Sequence, residues 1–282
     1  MRRLDQLLAN LGYCSRSEAR AFLKTHNVTA GGKPLKDCAQ KVRTPEVLID
    51  GEPPDHPDGI LVALNKPLGL VCSHDPREGP NVYSLLPPRW RARNPQVTSV
   101  GRLDKETSGL ILLTDQTALV HRLTSPKHKV PKVYRAKLDK PPPPEAIAVF
   151  ASGALMLDGE TEPCAPAQLR VIDAGNESGA DIGVGAGADA NATTVEVTLT
   201  EGRYHQVRRM FASQGRAVLA LHREKFGDLN LAGIEQGKFR ELPLGHFEKS
   251  SWEGELLAPH EESKMLPPPL KIDFSKIGVP SC

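Results

Sequence analysis

An acid, Asp104, stands in the run Gly101-Arg102-Leu103-Asp104-Lys105-Glu106-Thr107-Ser108-Gly109, just ahead of the apolar stretch Leu110-Ile111-Leu112-Leu113. That stretch is too short for a typical helix and is bounded by Gly109 and Asp115, which reads as a buried strand. A loop braced by a strand can hold a carboxylate still, and Arg102 and Lys105 beside it favour the charged form. Such a carboxylate can act as a nucleophile or as a base. In an ordinary surface turn the same residues would make only an ion pair, so the case depends on what joins them.

Two other runs carry suitable groups. In Glu201-Gly202-Arg203-Tyr204-His205-Gln206-Val207-Arg208-Arg209-Met210-Phe211, a helix would turn Val207, Met210 and Phe211 to the core and gather His205, Arg208 and Arg209 on the other side. Arg203 and Arg209 then read as phosphate contacts, and His205, like Arg102 beside Asp104, as a further RNA contact. In Ser125-Pro126-Lys127-His128-Lys129-Val130-Pro131-Lys132-Val133-Tyr134-Arg135, one aromatic ring stands amid cations. The ring of Tyr134 suits an extruded base, while Lys127, Lys129 and Lys132 suit the nucleic-acid backbone. Thr107 and Ser108 read as hydrogen-bonding residues that shape the Asp104 loop.

Competing chemistries lack their residues. His121 and His128 are seven apart with no carboxylate partner at metal-ligand spacing, and Cys14, Cys38, Cys72, Cys164 and Cys282 never form a Cys-x-x-Cys. Neither a phosphate-binding Gly-x-x-x-x-Gly-Lys-Ser/Thr nor a hydrolase Gly-x-Ser-x-Gly occurs. Gly183, Gly185 and Gly187 have no helix after them to make an anion site. No metal is expected.

The elements that position these residues follow from periodicity. Leu4, Leu7, Leu8 and Leu11 make one helix face ended by Gly12; a second helix is expected from Ser15, capped by Glu18, with Arg16 and Arg20 on its first turn. Strand-like runs around Val28 and at 47–49 complete a small module over residues 1–55. The turn-rich 52–59 stretch reads as a linker. Beyond it strands are expected at 60–64, 97–100, 110–113, 133–138, 167–172, 193–199 and 218–221, with helices at 116–124, 144–152 and 205–214. Irregular mixing of the two indicates an α+β domain over 60–250, its sheet mixed and mainly antiparallel with flanking helices. The Gly/Ala-rich 174–192 stretch reads as a mobile insertion, and 251–282 as a loosely attached, proline-rich tail.

Charge is segregated within the 282 residues and their net charge of +2. Residues 1–43 hold nine Lys/Arg and three Asp/Glu, whereas 141–201 hold one Arg and ten acids. The basic segments suit a polyanion, with Arg2, Arg3, Arg16, Arg20 and Lys24 as RNA contacts on the first module. No apolar run is long enough for a membrane span and the N-terminus lacks a signal peptide's apolar core, so a cytoplasmic protein is expected. Dispersed cysteines, odd in number, fit reduced thiols.

The Asp104 run resembles the catalytic motif of pseudouridine synthases, in the branch that modifies ribosomal RNA. The N-terminal module resembles the small RNA-binding domain first known from ribosomal protein S-four. Together the resemblances cover residues 1 to about 248. They imply that Asp104 is the family's catalytic aspartate, that Arg208 pairs with it and that Tyr134 stacks on the target uracil; Asn65-Lys66-Pro67 matches too, in a structural part. They imply a reaction needing no cofactor, begun by aspartate attack on ribose C1' or by removal of the C2' proton. The implied partner is ribosomal RNA or a subunit assembly intermediate, met by a monomer. Leu221-His222-Arg223-Glu224-Lys225 and Ser125-Pro126-Lys127-His128-Lys129 look most like the enzymes acting on the small subunit. Action on the large subunit, or a non-catalytic assembly factor on the same scaffold, are the alternatives.

Overall fold

The computed structural model describes residues 1–172 and 192–248, so the expected insertion, except Ala192, and the expected tail lie outside the described residues. Helix α1 (Leu4–Asn10) buries Leu4, Leu7 and Leu8, with Leu11 just beyond it. Gly12 has φ +78°, and a Cβ there would lie 2.1 Å from the Arg89 carbonyl oxygen. The position therefore requires glycine for its backbone and for the close approach of the neighbouring chain. The Ser15–Glu18 cap forms, with Ser15 Oγ donating to Glu18 Oε2 at 2.6 Å and the Ser15 amide to the same oxygen at 2.9 Å. Helix α2 begins only at Ala19 (Ala19–Thr25), because the capped residues close a turn first. Val28–Ala30 pairs with Val47–Ile49, and Val28, Val42, Val47 and Ile49 join the leucines in one core.

Residues 52–59 are fixed against the next layer. Asp55 donates its amide to the Tyr13 hydroxyl at 3.0 Å and accepts the Trp90 indole hydrogen at 2.8 Å. Arg93 donates to the carbonyls of Asp55 and His56, and is paired with Asp115 at 2.8 Å in a nearly dry setting. The Arg89 guanidinium lies over the Tyr13 ring, 4.7 Å from its centroid. A segment read as a tether is thus a hydrogen-bonded junction.

The large sheet comprises β1 (Leu61–Lys66), β2 (Thr107–Thr114), β3 (Lys132–Leu138), β4 (Gln168–Ile172), β5 (Thr193–Leu199), β6 (Val218–Phe226) and β7 (Phe239–Glu241), in the spatial order β4-β5-β3-β6-β2-β1-β7. Short pieces at Thr98–Ser99 and Leu229–Asn230 extend it. β6 and β2 run parallel, and the other adjacent strands are antiparallel. This is the α+β architecture expected, mixed and mainly antiparallel.

Strand β2 is buried along its whole length, as its continuous apolar run requires. Leu110 and Leu112 enter one core with Leu119 and Leu123 of α3 (Thr117–Thr124), while Ile111 and Leu113 enter another with Val62, Leu64, Trp90 and Leu103. A further core lies under α4 (Ala146–Ala151) and α5 (Gln206–Ser213), where Phe150, Val207, Met210 and Phe211 cover β3, β5 and β6. Among the described residues no helix is long and apolar enough to cross a membrane.

Candidate active site

Asp104 sits on the loop entering β2, where its carbonyl accepts the Thr107 amide hydrogen at 3.0 Å. Its carboxylate opens onto a pocket of about 350 Å³ lined also by Arg102, Thr107, Lys132, Tyr134, His205 and Arg223. The sheet register explains the meeting. Arg223 on β6 lies opposite Tyr134 on β3 and opposite Gly109 on β2, while Leu221 lies opposite Thr107. The interior three strands therefore form the floor, and loops 101–106, 124–132 and 200–206 contribute to the walls.

The loop before α5 brings His205 to the aspartate. His205 has the left-handed conformation, φ +48°, a cost for a non-glycine residue that the surrounding bonds must offset. Gln206 supplies them: its Oε1 accepts the Arg203 amide hydrogen at 2.9 Å, and its Nε2 donates to Glu201 at 2.6 Å. His205 Nε2 then lies 3.4 Å from Asp104 Oδ1. The ring of Tyr204 stacks on that of His205, with centroids 4.0 Å apart, and is itself largely exposed at the pocket edge.

Arg208, expected to pair with Asp104, does something else. Its Nη1 donates to the Val218 carbonyl at 2.8 Å and its Nη2 to the Glu106 carbonyl at 3.2 Å. It holds the backbone two residues beyond the acid, and among the described residues the side chain that comes within ion-pair distance of Asp104 is His205. Arg203 and Arg209 also depart from expectation. Both contact Glu160, Arg203 also Glu201 and the carbonyls of Glu162 and Pro163, and Arg209 also the Asp158 carbonyl. The acidic 158–163 loop captures these guanidinium groups, so they do not form a free phosphate-facing surface. Arg209 and Arg203 in turn hold the Glu160 carboxyl below its usual range.

Lys132 is a pocket cation instead of a surface one. Its Nζ donates to the Val130 carbonyl at 2.8 Å and stands 5.6 Å from the Phe226 ring centroid. Burial pushes its ammonium down to about 8, with the Arg223 charge adding to the shift. Arg102, Lys127 and Lys129 are exposed, the last two on the loop that also brings Pro126 to the pocket. On the N-terminal module Arg2, Arg20 and Lys24 are exposed, whereas Arg3 pairs with Asp5 at 2.7 Å and Arg16 reaches the same carboxylate at 3.7 Å.

Thr107 and Ser108 belong to β2 and not to the loop: Ser108 Oγ bonds His222 Nδ1 at 2.9 Å, and Thr107 faces the pocket. Lys66 is fully buried at the end of β1, its Nζ donating to Thr107 and Pro67 carbonyls at 2.7 and 3.1 Å. Burial brings its ammonium to about 8. That arrangement fits the structural part implied for Asn65-Lys66-Pro67. Among the described residues no cluster of His, Cys, Asp or Glu could hold a metal ion.

Arg223 and Tyr204 were not picked out as site residues from the sequence. Arg223 alternates in phase with Leu221 on β6, which was enough to place it on the inward face.

Residues 60–213 match the family model for RNA pseudouridylate synthase, and residues 2–53 match the S4 domain. The uncharacterized RNA pseudouridine synthase YtzG of Bacillus subtilis is 37% identical over 243 residues, covering 85% of this chain and 94% of that one. Ribosomal small subunit pseudouridine synthase A of Escherichia coli K12 is 36% identical over 246 residues, covering 85% and 96%. The crystal structure of a pseudouridylate synthase superposes with a TM-score of 0.56 at 34% identity, covering 88% of this chain and 99% of that one.

Proposed function

The chain belongs to the RNA pseudouridylate synthase family, and from that premise we propose that it isomerises a uridine of small-subunit ribosomal RNA, with Asp104 as the residue that starts the reaction. The observation that carries the assignment is the placing of the Asp104 carboxylate at a pocket whose floor presents Tyr134 and a buried cation. The likeness to the small-subunit enzyme of Escherichia coli over most of both chains supports the choice of RNA. Action on large-subunit RNA is the second reading, since the catalytic motifs do not distinguish the two.

Pseudouridine formation breaks the bond between ribose C1' and uracil N1 and makes one between C1' and C5. A proton leaves C5 and one is gained at N1, so no external group or redox partner is consumed. Asp104 attacks C1' or removes the C2' proton, and either route releases the base. Tyr134 offers a face on which the extruded uracil stacks. His205 holds the carboxylate from one side, while Arg208 steadies the loop through the Glu106 carbonyl.

In this proposal residues 1–55 form the RNA-binding domain, with Arg2, Arg20 and Lys24 facing phosphate, and 60–250 form the catalytic domain. Arg102, Lys127 and Lys129 extend the basic surface to the pocket. The enzyme acts as a cytoplasmic monomer on free RNA or on a subunit in assembly. The test is to map pseudouridine across ribosomal RNA from cells with the gene, without it, and with Asp104→Asn. Loss of one small-subunit site in the last two supports the reading. A site that persists with Asp104→Asn removes Asp104 from the chemistry, and a large-subunit site corrects the substrate.

A further inference from the structure

Arg223 has 2% of its surface exposed and lines the pocket, yet one arm of its guanidinium has no hydrogen-bond partner among the described residues. Its Nε donates to the Leu110 carbonyl at 2.7 Å, whereas Nη2 is buried without a partner. No described carboxylate lies within ion-pair distance of it. Buried charged donors are rarely left this way, because an unpaired one carries its desolvation cost without compensation. Thr107 Oγ1, on the same floor, is a second buried polar atom without a partner.

The fold goes to some length to put Arg223 there. Its backbone packs directly on β2, where a Cβ on Gly109 would lie 2.3 Å from the Arg223 carbonyl oxygen, and Gly109 has φ +108°. The guanidinium carbon is 5.4 Å from the Phe226 ring centroid and 6.0 Å from that of Tyr134. A group stacked on Tyr134 therefore comes within reach of its free arm. The charge of Arg223 also lowers the affinity of Lys66 and Lys132 for their protons, after burial. The floor is thus a low-dielectric surface with cations beneath and beside it.

The chemistry supplies what would complete such a floor. When C1'–N1 breaks, its electron pair stays with the base, and the negative charge spreads from N1 onto the two carbonyl oxygens. We propose that the free Nη2 of Arg223 donates to a carbonyl oxygen of the extruded uracil and stabilises the anion formed as the glycosidic bond breaks. This rests on the synthase reading above. A preoriented cation in a dry site acts mainly on charge that develops in the transition state. The uracil anion then turns and its C5 electron pair bonds to C1', as the ester bond from Asp104 to C1' breaks or, on the other route, as C2' regains its proton from Asp104; the C5 proton then leaves and N1 is reprotonated. Thr107 Oγ1 offers a second hydrogen bond to the same base.

The test uses the full-length protein in single turnover, with RNA carrying uridine or 5-fluorouridine at the target. The fluorinated base is the better leaving group, and its conversion to the C-linked product reports glycosidic cleavage before any loss from C5. Wild-type conversion of uridine, measured alongside, tests the synthase premise separately. Arg223→Gln, which removes the charge, is expected to slow uridine at least 100-fold and 5-fluorouridine at least ten-fold less, with RNA affinity within three-fold of wild type. Where Arg223→Gln does not fold, Arg223→Lys keeps the buried charge, loses the directed arm and is read by the same ratio. Equal slowing of both substrates, or an unchanged rate, overturns the proposal and leaves Arg223 a packing residue.

Discussion

The guanidinium of Arg208 donates to the carbonyl of Glu106 at 3.2 Å, and so ties helix α5 to the backbone that follows Asp104. Its other arm reaches Val218 at the start of β6. One planar fork thus joins the loop, the helix and the central strand. Arg208→Lys replaces two directed donors by a single mobile ammonium that cannot span both carbonyls. We predict that it loses about as much single-turnover rate as Arg208→Ala, roughly ten-fold or more, with RNA affinity unchanged. Stability should fall by about 1–2 kcal/mol for the lost bonds. A wild-type rate in Arg208→Lys would show that the loop needs no brace.

Much of this was legible in the chain. The leucine spacing of α1, the Ser15–Glu18 cap and the unbroken apolar run of β2 all describe local physics, and each appears where its pattern placed it. The Asp104–Tyr134 meeting also followed, through resemblance. What could not be read was pairing across distance. Arg209 and Glu160 are 49 positions apart, and nothing local says that the acidic loop folds back onto the basic helix. The alternation of Arg223 with Leu221 marks the inward face, but nothing local says which groups its guanidinium meets there, or that Gly109 admits its backbone.

Those pairings yield a second prediction. Arg209→Ala should weaken the fold and not RNA binding, because its guanidinium holds Glu160 and the carbonyls of Tyr204 and Asp158. The group is only partly screened from water, so about 1–2 kcal/mol in denaturant unfolding is expected. A loss of RNA affinity with unchanged stability would return Arg209 to the RNA surface.

In the proposed reading phosphate contact falls to the exposed cations of the first module. Replacing Arg2, Arg20 and Lys24 together by Ala should lower the slope of log affinity against log salt by about 2–3, since each neutralised phosphate contributes roughly 0.7–0.9. The rate at saturating RNA should stay as it is. An unchanged slope in the folded triple variant would place the RNA elsewhere.

The last prediction concerns acid stability and a residue outside the pocket. His222 lies beside Arg223 on β6 but faces the opposite way, toward Ser108 and Arg135. Burial, with the Arg135 charge adding to it, brings its imidazole from the ordinary 6.5 down to about 4. Between those values the unfolded chain binds a proton that the folded chain refuses, so stability rises with pH across this window. The contribution is complete above pH 6.5 and is lost as pH falls toward 4. The full shift would correspond to roughly 3 kcal/mol, and partial solvent access reduces the expectation to about 2 kcal/mol. His222→Gln retains an amide able to meet Ser108 and removes the titration. Urea unfolding at pH 7 and pH 4.5 should then show a smaller stability difference in the variant than in the wild type, by that amount. Equal differences would mean that His222 takes up its proton in the folded protein as readily as in the unfolded chain, and that its burial beside Arg135 exerts no hold on it.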